Sequence, residues 1–156
     1  MSRFTHDAEF RRALDELDAG RQREVGALLV EGLLPLTGDE RVARALEVAR
    51  DRDAGTDARH AALKSARAAA LDSHARCGAD SDWAEQADYF VARAAVACLG
   101  EQVLSHGKGS AWQAAVSCRM AKACVAAGED ESQSSTEIER QYRILSNYLE
   151  SLRERT

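Results

Sequence analysis

Few residues in this 156-residue chain combine the types and the spacing that chemistry requires. A carboxylate-bridged metal centre in a helical bundle needs Glu-x-x-His on two helices. The only comparable offset is Asp57-Ala58-Arg59-His60, and it occurs once. His74 and Cys77 are three residues apart and could share a metal, but no second pair completes a site. We therefore expect no metal and no cofactor.

Nucleophilic catalysis and nucleotide binding have equally little support. A nucleophilic cysteine or serine needs a base and an orienting group. Cys98 and Cys118 fall on apolar helix faces instead, which is typical of inert packing. Gly107-Lys108-Gly109 follows no strand, so it indicates a turn rather than a phosphate-binding loop. We expect a protein that is not an enzyme.

The charge of the chain argues against several partner classes. The formal net charge is -5, which disfavours binding to nucleic acid. Asp57 and Asp72 interrupt the basic residues of the fourth predicted helix, which disfavours a DNA-recognition helix. No apolar run could span a bilayer, and Met1–Arg12 lacks a signal-peptide core. We expect a cytoplasmic protein that contacts neither nucleic acid nor membrane, with its cysteines reduced.

The elements that would position these residues are all helices. The chain is rich in alanine and has one proline, a mixture that favours helix throughout. We predict an all-α, compact bundle in a single domain, 1–156. No fixed internal period supports the alternative, a solenoid of stacked helix pairs. The seven predicted helices lie at about 7–17, 21–34, 38–50, 56–77, 82–104, 110–127 and 136–153.

The fifth helix, Asp82–Leu104, is apolar over most of its circumference, so we place it at the centre of the bundle. Its inward stripe includes Trp83, and that of the sixth helix includes Val116 and Met120. Gly20 is expected to close the first helix. Three capping boxes are predicted to start helices: Thr37 with Glu40, Asp82 with Glu85, and Ser110 with Gln113.

Several short motifs occur in order along the chain. They are Leu34-Pro35-Leu36, Asp39-Glu40-Arg41, Ala45–Arg50 and, in the last helix, Glu139-Arg140-Gln141-Tyr142. In this order they resemble a bacterial family of small, all-helical immunity proteins. The chain departs from that family at Val42, where a proline is common, and in 92–101, which has no histidine.

The resemblance implies a protein that neutralises a co-encoded toxin by binding it, without catalysis. Carried over by match, the binding residues are Asp39 or Glu40, and Arg41. Residues 79–156 hold 12 acids and 8 bases, net -4, so we expect this half to dock a basic toxin and occlude its active site. The acidic residues expected to do so are Asp80, Asp82, Glu85, Asp88, Glu129, Asp130 and Glu131.

Three other interpretations stay open. The charged residues of the third helix could form a solvated face with caps and nothing more. The thin, alanine-rich helices could leave a small-molecule or metal pocket between helices four to six. Its expected lining residues are Trp83, Trp112, Tyr89, His74 and Cys77. The amphipathic last helix could also form a homodimer.

Overall fold

Helices account for most of the chain that the structure describes. In this computed structural model the described residues are 3–76, 82–100, 109–128 and 133–155. The predicted all-α class and the seven helices are confirmed, and no strand occurs within those ranges. The helices are α1 (Asp7–Asp15), α2 (Ala19–Glu31), α3 (Glu40–Arg50), α4 (Thr56–Arg76), α5 (Trp83–Leu99), α6 (Ser110–Gly128) and α7 (Gln133–Glu154), with a 3₁₀ helix at Leu34–Leu36.

The central position predicted for the fifth helix is confirmed over Trp83–Leu99. α5 packs against α2, α3, α4 and α6. It contributes buried residues on several faces, among them Val91, Ala95 and Cys98. Small side chains let the helices approach closely, because a Cβ added at Gly26 of α2 would lie 3.0 Å from the Cys98 Sγ. The predicted continuation to Leu104 lies outside the described residues.

Larger side chains fill the end of the core beneath α1. Phe10 and Leu14 of α1 are fully buried. The Phe10 ring packs against Tyr142 of α7, with centroids 5.0 Å apart, and against Trp112 of α6 at 6.3 Å. These rings anchor the short first helix, which buries aromatic surface on two neighbours at once.

Three of the predicted helix boundaries are wrong. α2 ends at Glu31 and not at Leu34, and Leu34–Leu36 form a separate 3₁₀ helix. Asp39, not Thr37, caps α3, since its side chain accepts a hydrogen bond from the Arg41 backbone N–H at 2.9 Å. The Thr37 hydroxyl instead accepts from the Asp39 N–H. Gly20 lies inside α2 rather than closing α1, because Asp18 already caps α2 at 2.8 Å from the Arg21 N–H. The cap predicted for Asp82 is confirmed, with the Glu85 N–H at 2.8 Å.

The inward positions predicted for three large apolar residues are also wrong. Trp83 is 48% exposed, and Val116 and Met120 face solvent as well. The buried stripe of α6 consists of small residues, Ala111, Ala114, Ala115, Cys118 and Ala121. In a helix where alanine can pack on any side, the bulky residues did not mark the core face.

Candidate functional site

The residues that the sequence singled out at 39–41 meet others from distant stretches on one surface. They surround a depression of about 470 Å³ together with residues of α3, α4 and α5. We call this surface the charged face. It consists of Asp39, Glu40, Arg41, Arg44, Arg76 and Asp88, with Asp72, which Arg41 binds.

Arg41 links the start of α3 to the outer side of α4. Its Nε and Nη2 donate to the Asp39 carboxylate at 3.0 and 2.7 Å, and Nη2 also donates to Asp72 at 2.9 Å. The hydrogen bonds from Arg41 hold the pKa of Asp39 below its usual range. Asp39 and Arg41 therefore fix the beginning of α3, whatever else they contact.

Two carboxylates of the charged face, Glu40 and Asp72, are well exposed to solvent. The side chain of Glu40 is 82% exposed, against 17% for Asp39. Glu40 pairs with Arg44 at 3.0 Å, one turn along α3. Such an exposed pair contributes little to stability, since water and salt screen it. Glu40 and the exposed Asp72 are thus the carboxylates most available to a partner.

The acidic residues of α5 extend this surface. Asp88 pairs with Arg76 of α4 at 3.3 Å. Glu85 lies one turn before Asp88, and Asp82 caps the helix one turn earlier; both are exposed. The predicted binding residues Asp80, Glu129, Asp130 and Glu131 lie outside the described residues.

Two of the three cysteines that the structure describes are poorly suited to chemistry. Cys98 and Cys118 are fully buried. Burial raises the pKa of the Cys98 thiol to about 12 and that of Cys118 well above its usual value. Because the thiolate is the nucleophile, these thiols stay inert at neutral pH. In the described ranges no three His, Cys, Asp or Glu side chains gather as metal ligands.

A buried polar cluster on α7 was not predicted from the sequence. The Glu137 carboxylate is fully buried and accepts hydrogen bonds from Arg140 at 2.6, 2.8 and 3.2 Å. Gln141 donates to the same carboxylate at 3.2 Å. Arg140 also donates to the Leu29 carbonyl at 2.7 Å, in the last turn of α2. Arg140 and Gln141 belong to the motif quoted for the resemblance, and here they join α7 to α2.

A second cluster ties α1 to the far end of the chain. Arg119 of α6 donates to both oxygens of Asp7, at 2.8 and 2.9 Å, and the Tyr142 hydroxyl donates to Asp7 at 2.6 Å. The hydrogen bond from Arg119 lowers the pKa of Asp7. No local sequence pattern could reveal these contacts, because Arg119 follows Asp7 by 112 positions and Tyr142 follows it by 135 positions.

A groove lies between α4, α5 and α6, where a small-molecule or metal pocket was one of the predictions from the sequence. Two adjoining cavities, of about 870 and 560 Å³, form it. We call it the α4–α6 groove. Two expected lining residues, Tyr89 and Trp112, are there. His74 packs on the Tyr89 ring, with centroids 5.1 Å apart, Trp83 is exposed at the start of α5, and Cys77 is outside the described residues.

None of the helices within the described ranges has the length and apolar character needed to cross a bilayer. Comparison of the chain with protein-family models, curated proteins and solved structures finds no match. The function is therefore inferred from the surfaces of this molecule and from the resemblance of its motifs.

Proposed function

We propose that this chain is a binding protein of the immunity type, which neutralises a partner toxin by occluding it and performs no reaction itself. The observation that carries the proposal is the meeting of residues 39–41 with Asp72 and Asp88 on the charged face. Residues chosen from a motif and residues chosen for their charge converge there. The motifs that resemble the immunity-protein family indicate that the partner is a toxin.

The charged face is nearly balanced, with four carboxylates and three arginines, and the carboxylates at its rim and along α5 are what suit a basic partner. Glu40 and Asp72 are exposed at its rim, and Asp82 and Glu85 continue the negative charge along α5. Carboxylates arranged on a rigid helical surface speed the encounter with a positively charged protein and fix its orientation. A toxin that acts on a polyanion has a basic active site, and such a surface would cover it.

The charged face also has a rigid base. Asp39 and Arg41 hold the start of α3 against α4, and Arg76 with Asp88 joins α4 to α5. Contact residues on a preorganised surface lose little conformational entropy on binding. Asp72 has both tasks, because it holds Arg41 against α4 and is itself exposed to a partner, whereas Glu40 pairs within α3.

The first experiment identifies the partner and then tests the surface. The protein, tagged at its N-terminus, is recovered from its own cells, and a co-purifying small protein or toxin domain is expected. Association is then measured for the Glu40→Lys/Asp72→Lys double variant at several salt concentrations. We expect a fall in association rate of about tenfold or more at low salt, with less effect at high salt.

Glu150→Lys/Glu154→Lys is the matched control, because it reverses two exposed carboxylates on α7 and should leave the rate nearly unchanged. A second charge-reversed variant, at 129–131, tests the other predicted acidic segment. Equal rate and affinity for the wild-type protein and the double variant would refute the charged face as the docking surface. Absence of any stoichiometric protein partner would refute the immunity-type function itself.

A further inference from the structure

The α4–α6 groove has a simple architecture. α5 packs against both α4 and α6, while α4 and α6 hardly touch each other in the described chain. The outer face of α5 therefore forms a floor between two helical walls. From Tyr89 to Gly100 this floor is roughly 16 Å long at the helical rise per residue.

Apolar side chains are exposed along the groove. Leu71 on the α4 wall is 69% exposed, and Val116 on the α6 wall is also exposed. Met120, one turn beyond Val116, continues this surface and is exposed as well. Three of the four large hydrophobic side chains that stand exposed in the described chain thus lie in or beside the groove. Exposed apolar surface gathered in this way marks an interaction site.

The charged groups that line the groove are cationic. Its lining includes Lys64 and Arg67 on α4 and Arg93 on α5, and no Asp or Glu belongs to the lining that the structure describes. Neither Lys64 nor Arg67 forms an ion pair with another described residue, and Arg93 lies over the Tyr89 ring. By contrast, seven other arginines pair with carboxylates: Arg41, Arg44, Arg50, Arg52, Arg76, Arg119 and Arg140.

The groove also lets another backbone come close. Ala97 and Gly100 on the floor and Ala68 on the wall leave room above α5. Three neighbouring helices present ridges and grooves into which a fourth helix packs at about 8–10 Å between axes. The exposed Leu71 side chain stands at the rim, where it would cover the flank of such a helix.

We propose that the α4–α6 groove binds an acidic amphipathic helix of a partner protein. Its apolar stripe packs on Val96 and Ala97, between Leu71 and Val116, and its carboxylates pair with Arg67 and Arg93. This is recognition of a helix in a groove, in which apolar anchors recur at helical spacing. The proposal does not depend on the immunity-type function, because the groove and the charged face share no lining residue.

The test selects ligands without a known partner. A phage-displayed random library of peptides of about 16 residues, roughly four helical turns, is panned on the full-length protein. The expected winners carry apolar residues at helical spacing flanked by Asp and Glu, and bind with micromolar affinity. Arg67→Glu/Arg93→Glu should weaken their binding by about tenfold or more. Arg143→Glu, on the exposed side of α7, should have no effect.

The site of binding is located with tryptophan fluorescence. In a Trp83→Phe background Trp112 is the remaining tryptophan, and it lines the groove. Selected peptides should shift its emission in that protein. Circular dichroism and thermal melting of both charge-reversed variants establish that they fold.

Four results would overturn the proposal. They are a selection that yields no specific peptide, winners that are basic or not amphipathic, equal binding to the Arg67→Glu/Arg93→Glu variant, and no shift of Trp112 emission. Sodium laurate serves as a second probe. If it saturates the groove and shifts Trp112 while acidic helical peptides do not, the site is for a small amphipathic anion rather than for a helix.

Discussion

Arg140→Ala should destabilise the protein strongly although Arg140 lies near the surface. Its guanidinium makes three of the four hydrogen bonds that the structure gives the Glu137 carboxylate, which is fully buried. Removing the arginine leaves a buried carboxylate with Gln141 as its remaining donor. An uncompensated charge in the interior is costly, because water can no longer solvate it.

The size of the effect follows from these contacts. Breaking a buried ion pair by removing one partner costs about 3–5 kcal/mol. The lost bond from Arg140 to the Leu29 carbonyl, 2.7 Å long, adds about 1 kcal/mol. A destabilisation of about 4–6 kcal/mol in a domain of this size lowers Tm by roughly 8–24 °C.

The assay is urea unfolding followed by circular dichroism, arranged as a double-mutant cycle. Glu137→Gln removes the buried charge, so Arg140→Ala should cost only about 1–2 kcal/mol in that background. Arg143→Ala, exposed on the same helix, is the control and should change the free energy of unfolding by less than about 0.5 kcal/mol. A loss below about 1 kcal/mol for Arg140→Ala, or strict additivity with Glu137→Gln, would show that the reasoning is wrong.

Three further predictions test individual contacts. Asp39→Ala should cost about 1 kcal/mol by removing the cap of α3, while Asp39→Asn keeps the cap and costs less. Since the pKa of Asp39 is lowered, its stabilisation should be complete above the unfolded value of about 3.9 and be lost as pH falls through the folded pKa; acid unfolding of wild type and Asp39→Asn measures this. Burial, together with the hydrogen bond to Asp7, raises the pKa of Tyr142 to about 12. Stability should therefore fall as pH rises from about 10 towards 12, and Tyr142→Phe should remove that loss in alkaline unfolding curves. Gly32→Ala should cost about 1–3 kcal/mol in urea, because its Cβ would lie 2.5 Å from the anchored Arg140 side chain, whereas Gly38→Ala meets no atom within 4 Å and should be near neutral.

The number and order of the helices could be predicted because local signals, such as capping residues and the single proline, separate one helix from the next. Asp82 caps α5 where a cap was expected, and α2 and α3 are separate helices on either side of Pro35, although α2 already ends at Glu31 and not at Leu34. The side of each alanine-rich helix that faces the core was harder to predict. Trp83 and Met120 are exposed because α5 and α6 pack through small residues, so bulk does not identify the buried face.

The candidate site was predicted only where it is local. Residues 39–41 could be selected from a short motif, but their approach to Asp72 and Asp88 depends on how α3, α4 and α5 pack. The cationic lining of the α4–α6 groove could not be predicted from the sequence. Arg67 and Arg93 lie 26 positions apart by their numbers, and only the side-by-side packing of α4 and α5 brings them to one groove.

The contacts of the first helix have a consequence for the order of folding during synthesis. Asp7 meets Tyr142, 135 residues later, and the Arg3 N–H donates to the Ser146 hydroxyl, 143 residues later. α1 therefore leaves the ribosome long before its partners on α6 and α7 exist. The helices from α2 to α5 pack on one another, directly or through a neighbour in the chain, and can assemble as they emerge, whereas the contacts of α2 with α6 form later. α1 is made before the helices it packs on and docks last. Until synthesis reaches α7, the ring of Phe10 therefore lacks Tyr142, the partner on which it packs in the folded protein.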